Sequence, residues 1–160
     1  MYKDASAAAF RMLRDRGERV SFAESLTGGR IAAALIENSG ASQVIDESYV
    51  TYAAESKIRL LGVKRETVNE KGVVSAECAA EMAAGVRRIS RAGWGVSATG
   101  LAGPDGGTEA TPVGTVFIGV AGPGGAEAFE CHFEGDREAV RLQTVKKAFE
   151  LLCAAMENQK

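Results

Sequence analysis

Apolar positions recur first at helical spacing and then at strand spacing along this chain. Ala7, Phe10, Met12 and Leu13 fall roughly on one face of a helix over Lys3–Arg16, which Gly17 ends. A short apolar strand over residues 19–24 follows, then an alanine-rich helix over residues 27–37 that "NSGAS" closes. A second strand is predicted near residues 48–52, and "AAESKIRLLG" reads as a helix with Gly62 in the left-handed position after its last turn. "VKRETVNEKG" is a polar helical turn and loop. Ser75 caps a long helix to about Arg91, with Glu77 in its first turn and Arg87 and Arg88 in its last, as the helix dipole favours. Residues 94–99 alternate like a buried strand, and residues 100–112 form a glycine-rich loop. Two further strands, over residues 114–120 and 126–133, meet at the hairpin signal "GPGG", and a last helix runs from Asp136 toward Met156.

Helices alternating with strands predict an α/β fold, a three-layer α/β/α sandwich. The terminal hairpin makes its sheet mixed, though mainly parallel. No internal repeat or low-complexity tract divides the chain, so residues 1–160 are expected to form one domain.

Such sheets collect ligands at the carboxyl ends of their strands. That rule groups "ESLTGG", "TYAAESK" and "TGLAGPDGG" around one pocket. In the first, Ser25 precedes Thr27, Gly28 and Gly29 at a strand-to-helix turn, where unpaired N–H groups and the helix dipole favour an oxyanion or phosphate. The residues alone also allow Ser25 or Thr27 to be a plain helix cap. The turn matches neither the G-x-S-x-G elbow nor the phosphate-binding P-loop.

A serine nucleophile needs a base, and the only histidine, His132, sits in the strand pattern "ECHFE" near the hairpin. Lysine serves if burial lowers its pKa, and Lys57 comes from the segment after the second strand; beside Glu55 and Arg59 it equally suits a solvated helix surface. Tyr52 at that strand's end offers a hydroxyl to orient serine or substrate, or packs in the core. Thr99 is a strand-end hydroxyl. The loop after it, with Gly100, Ala102 and Gly103, is long and glycine-rich enough to admit a ligand against its backbone. In "GDREAVR", Arg137 and Arg141 are one helical turn apart, placed either to grip a phosphate or to pair with Glu134 and Glu138.

Composition narrows the function classes. The chain is 46% hydrophobic and 25% charged, with a formal net charge of -2, which argues against duplex nucleic-acid binding but leaves a small anionic ligand open. No apolar run is long enough to span a membrane and no leader is visible, so a cytoplasmic location is expected. Cys78, Cys131 and Cys153 are widely spaced and form no C-x-x-C pair, so they read as reduced core thiols.

In order, "AESLTGG", "YVTYAAESKIRLLGV", "GVVS", "EMAAG", "TGLAGPDGG", "TPVGTVFIGV" and "GDREAVR" closely resemble the C-terminal domain of the competence/damage-inducible protein CinA, over about residues 7–156. Several members of that family are nicotinamide mononucleotide deamidases. The resemblance implies a mixed-sheet α/β/α fold, a homodimer, and hydrolysis of nicotinamide mononucleotide to nicotinate mononucleotide and ammonia, with no metal or redox cofactor. It places the family's serine–lysine dyad on Ser25 and Lys57, with the tyrosine on Tyr52, the threonine on Thr99 and the arginine on Arg141. It also implies a stand-alone form, without the domain that CinA carries upstream. Five positions depart from the family's usual residues: Leu26 for cysteine, Ala53-Ala54 for Ser-Asn, Ala76 for glutamate and Thr111 for a basic residue. Ala54, Ala76 and Thr111 favour a second reading, a module of the same fold that binds a nucleotide without turning it over.

Overall fold

Strand β1 (Val20–Glu24) is buried at every position, as a strand covered on both faces must be. In the computed structural model, which describes residues 1–159, it lies between two parallel partners, β2 (Ile45–Val50) and β3 (Trp94–Gly100). Strand β4 (Thr115–Gly122) runs antiparallel to β3, and β5 (Gly125–His132) antiparallel to β4, in the order β2-β1-β3-β4-β5. After those two reversals β5 points the same way as β1, β2 and β3, and β4 alone opposes them.

Helices α1 (Lys3–Arg16), α2 (Arg30–Ile36) and α6 (Arg137–Asn158) cover one face, packing on Val20, Phe22, Val96, Val116 and Ile118. Phe22 meets Phe149 of α6 edge to face, with ring centroids 6.1 Å apart. Helices α3 (Ala54–Leu61), α4 (Arg65–Lys71) and α5 (Ala76–Ser90) cover the other face, where Ala23, Leu61, Cys78, Met82 and Val86 form a smaller cluster. Helix α5 sits low on the sheet because Gly95 and Gly119 leave room beneath the backbone of Ala83 and Ala79. The expected three-layer α/β/α sandwich with a mixed sheet is therefore the observed architecture. Among the described residues no helix is long and apolar enough to cross a membrane.

Three elements differ from expectation. Helix α2 starts at Arg30 rather than Thr27, because Gly28 and Gly29 adopt φ of +58° and +95°, left-handed values that cannot continue a right-handed helix. Strand β2 covers residues 45–50, which leaves Thr51 and Tyr52 as the connection into α3. The polar stretch after Gly62 contains a complete helix, α4, whose Val68 reaches the smaller cluster.

Candidate active site

Because β2, β1 and β3 are parallel neighbours, their carboxyl ends share one edge of the sheet, and a cavity of about 260 Å³ opens there. Ser25 follows β1, Tyr52 follows β2, and Thr99 and Gly100 end β3. All four line the cavity, with Lys57, Leu26, Ala102, Gly103 and Arg137. Three segments far apart in sequence thus meet as the strand-end rule predicts.

Lys57 points inward from α3 and is 1% exposed. Its Nζ lies 2.6 Å from the Thr51 carbonyl oxygen, 3.2 Å from that of Tyr52 and 3.3 Å from Ser25 Oγ. A neutral amine has two protons and one lone pair. Giving the protons to the two carbonyls turns the lone pair toward Ser25. Burial lowers the Lys57 pKa from the ordinary lysine value. A thiolate at Cys78 would oppose that shift, but burial pushes the Cys78 thiol up to about 11, so it carries no charge near neutrality.

Ser25 is held from below by its own N–H, which donates to the Ala98 carbonyl at 3.1 Å. Beyond it the turn spends several donors internally: the Gly28 N–H donates to the Ser25 carbonyl and the Arg30 N–H to that of Thr27. The Leu26 and Thr27 N–H groups make no hydrogen bond among the described residues, and they immediately follow the serine.

The start of α2, expected to receive a ligand anion, is filled from within the protein. The Glu24 carboxylate, fully buried, accepts from the Ile31 N–H at 2.9 Å and the Ala32 N–H at 3.1 Å. A carboxylate at this end satisfies orphan donors and complements the dipole, so Gly28 and Gly29 shape the turn without exposing a helix terminus. Sequence reasoning missed Glu24; the available signal was an acidic residue closing a short strand directly before the turn into a helix. Glu24→Ala is expected to cost about 3 kcal/mol of stability by stranding two buried donors. A thermal melt should show this as a Tm lower by roughly 6–12 °C, with Glu24→Gln losing less.

Thr99, 1% exposed, donates its hydroxyl to the Val73 carbonyl at 2.8 Å and so fixes the Val73–Val74 segment, which also lines the cavity. Tyr52 is 65% exposed; its carbonyl holds Lys57 while its ring stands at the cavity mouth. Arg137 lines the cavity and donates to the Gly103 carbonyl at 2.7 Å, which ties the start of α6 to the glycine-rich loop. Asp105, from the same loop, also lines it and was not singled out from the sequence.

Four expected members, Thr27, Gly28, Gly29 and Arg141, are not part of the cavity lining. Arg141 Nε donates to the Leu26 carbonyl at 2.8 Å and a terminal nitrogen to that of Thr27 at 3.3 Å, clamping the turn after Ser25. The Thr27 side chain is fully buried. His132 pairs with Glu130 on the exposed strand β5 and does not line the cavity. Ala54, Ala76 and Thr111 do not line it either; of the departing positions only Leu26 does.

Comparison with known proteins finds relatives over nearly the whole chain. A CinA-like protein of Endomicrobium trichonymphae is 47% identical over 147 residues, 92% of this chain and 34% of its own length. One from Anaeromyxobacter sp. (strain K) is 48% identical over 144 residues, 90% of this chain and 35% of its own length. The chain therefore spans about a third of the curated relatives it matches. The crystal structure of the competence/damage inducible protein CihA from Agrobacterium tumefaciens superposes with a TM-score of 0.93 at 38% identity, covering 98% of this chain and 95% of that one. The competence damage-inducible protein A of Klebsiella pneumoniae subsp. pneumoniae gives 0.95 at 33% identity, covering 99% of both chains. The family model of the CinA C-terminal domain matches residues 3–156, and the chain belongs to that family.

Proposed function

We propose that this chain is an amidohydrolase that converts nicotinamide mononucleotide to nicotinate mononucleotide and ammonia in the cytoplasm, as a single domain and a homodimer. The observation that carries the reading is the buried Lys57 amine 3.3 Å from Ser25 Oγ, with its other contacts made to backbone carbonyls. A surface lysine beside a helix-capping serine would not be stripped of water in this way.

A carboxamide is a weak electrophile, so the site must supply a nucleophile, stabilise an oxyanion and protonate ammonia as it leaves. Ser25 Oγ attacks the amide carbon while neutral Lys57 takes its proton. The resulting oxyanion is assigned to the free N–H of Leu26, which lines the cavity, a type of contact worth about 3 kcal/mol per donor. Lys57, now an ammonium, returns its proton to the amide nitrogen; the C–N bond breaks, and ammonia departs from an acyl-serine. Water then attacks the ester, Lys57 again takes the proton and passes it to Ser25 Oγ, and the carboxylate product is released.

Arg137 is the cation at the cavity and is assigned to the substrate phosphate. Arg141 holds the Ser25 turn in shape, and the apolar side chains of Ile36, Val50 and Tyr52, exposed beside β2, suit a dimer contact. Arg137→Ala is expected to weaken nicotinamide mononucleotide by about ten- to a hundredfold with little effect on nicotinamide riboside, which lacks the phosphate. Arg141→Ala should instead lower kcat on both substrates. Equal losses on both substrates in Arg137→Ala would remove the phosphate assignment.

The alternative, a nucleotide-binding module without turnover, draws on Ala54, Ala76 and Thr111 where the family usually carries polar or charged groups. Incubating the protein with nicotinamide mononucleotide and measuring ammonia decides between them. Binding without ammonia release selects the module.

A further inference from the structure

At the opposite end of the sheet from Ser25, α5 and the β4–β5 hairpin enclose a second cavity of about 410 Å³. The pairing of Gly95 with Ala121 places it at the amino end of β3, whereas the Ser25 cavity lies at the carboxyl end. Arg87, Arg88 and Arg91 line it on one side; Gly122, Gly125 and Ala126 line it on the other and leave it open. None of these arginines makes an ion pair with a carboxylate among the described residues, although Arg14, Arg19, Arg30 and Arg65 do so elsewhere.

Arg87 is preset: its Nε donates to the Gly93 carbonyl at 2.8 Å, which fixes the guanidinium while leaving it further donors. Arg88 turns its guanidinium to the end of α3, donating to the Leu61 carbonyl at 3.1 Å. Arg91 stands where its backbone is least suited to it. Arg91 follows the last turn of α5 with φ +58°, the only non-glycine residue with positive φ among those described. Helices α1 and α3 end on glycine at the same position, Gly17 and Gly62. An arginine here keeps a side chain at the expense of backbone stability, a pattern that marks functional positions. Charges at the end of a helix answer its dipole, but the half charge there is too small to occupy both the Arg87 and Arg91 guanidinium groups.

We propose that this cavity is a binding site for a phosphoryl anion, of the size of pyrophosphate or the diphosphate of a nucleotide, separate from the Ser25 cavity. The Arg87 and Arg91 guanidinium groups, without carboxylate partners, present several donors to tetrahedral oxyanions, and a protein of net charge -2 would otherwise repel such a ligand. The cavity wall carries no aromatic ring, so recognition rests on the phosphoryl groups.

Titration calorimetry of the full chain at low ionic strength tests this, with inorganic phosphate, pyrophosphate and a nucleoside 5′-diphosphate as probes. Pyrophosphate should bind, with one site per chain that persists in Arg137→Ala. Arg91→Gly, which removes the guanidinium and relieves the left-handed backbone, should weaken it at least tenfold with a Tm equal to or above that of the unaltered chain. Arg137→Ala should leave pyrophosphate binding in place. A nucleoside diphosphate binding more tightly than pyrophosphate, with the same Arg91→Gly loss, identifies a nucleotide as the source; equal affinities identify the inorganic anion. Absence of binding by all three probes overturns the proposal, as does pyrophosphate affinity unchanged in Arg91→Gly. Loss of binding in Arg137→Ala also overturns it, by placing the anion in the Ser25 cavity.

Discussion

Ser25→Ala is expected to lower kcat for deamidation by on the order of 10⁴-fold or more while nicotinamide mononucleotide binds within a few-fold of its original affinity. The alanine removes the attacking oxygen and nothing that shapes the pocket. The Ser25 N–H still donates to Ala98 and the Ser25 carbonyl still accepts from Gly28, because both are backbone groups. Lys57 loses one of three neighbours and keeps the carbonyls of Thr51 and Tyr52. Ammonia release in single turnover, set beside calorimetric binding, makes the measurement. Activity within tenfold of the unaltered chain would mean that water, not serine, attacks the amide.

Replacing Lys57 should be as damaging, and its pH dependence carries the sharper test. The base must be neutral, so kcat/KM should rise with pH through the Lys57 pKa of the free protein and then level. Burial lowers that pKa from 10.5, so the rise should fall below the ordinary lysine range. Lys57→Arg cannot give up its proton and should lose at least 10³-fold at every pH, without any rising limb. A rising limb unchanged in Lys57→Arg would assign the titration to another group. Stability should follow the same group. Between the lowered folded value and 10.5 the unfolded chain binds more protons at Lys57 than the native chain does, so this residue's contribution to stability grows as pH rises across that window. Below the window the full cost of burying an ammonium is present. In Lys57→Met that dependence should vanish, which chemical denaturation at several pH values would show.

Most of the secondary structure was legible because it follows from local chemistry. The helical spacing of Phe10 and Leu13, the Ser75 and Asp136 caps and the glycines after α1 and α3 act within one or two turns of chain. Boundaries slipped where local and tertiary demands differ. The alanine-rich run that follows Thr27 favours helix, yet the turn must remain open long enough to seat Ser25, and the two left-handed glycines delay α2 to Arg30. Helix α4 was read as a mixture of turn and loop because only Val68 ties it to the core.

The candidate site divides in the same way. From the chain alone, Ser25, Tyr52, Lys57, Thr99 and the glycine-rich loop could be assigned to the ends of strands, because periodicity locates strand ends and parallel strands bring those ends together. What each side chain does there depended on neighbours distant in sequence. Lys57 beside Glu55 and Arg59 has the local pattern of a surface lysine, and only the packing of α3 against α5 buries it next to Ser25. Arg137 and Arg141 are one turn apart and chemically identical, yet one faces the cavity and the other clamps the Leu26 and Thr27 carbonyls. Glu24 turns the helix start from a ligand site into a filled cap because its strand aims the carboxylate at α2. Local sequence determined which residues could carry the chemistry and where the chain would turn. Tertiary structure decided their burial, partners and charge, since desolvation and hydrogen bonding depend on what surrounds an atom in space and not on its neighbours along the chain.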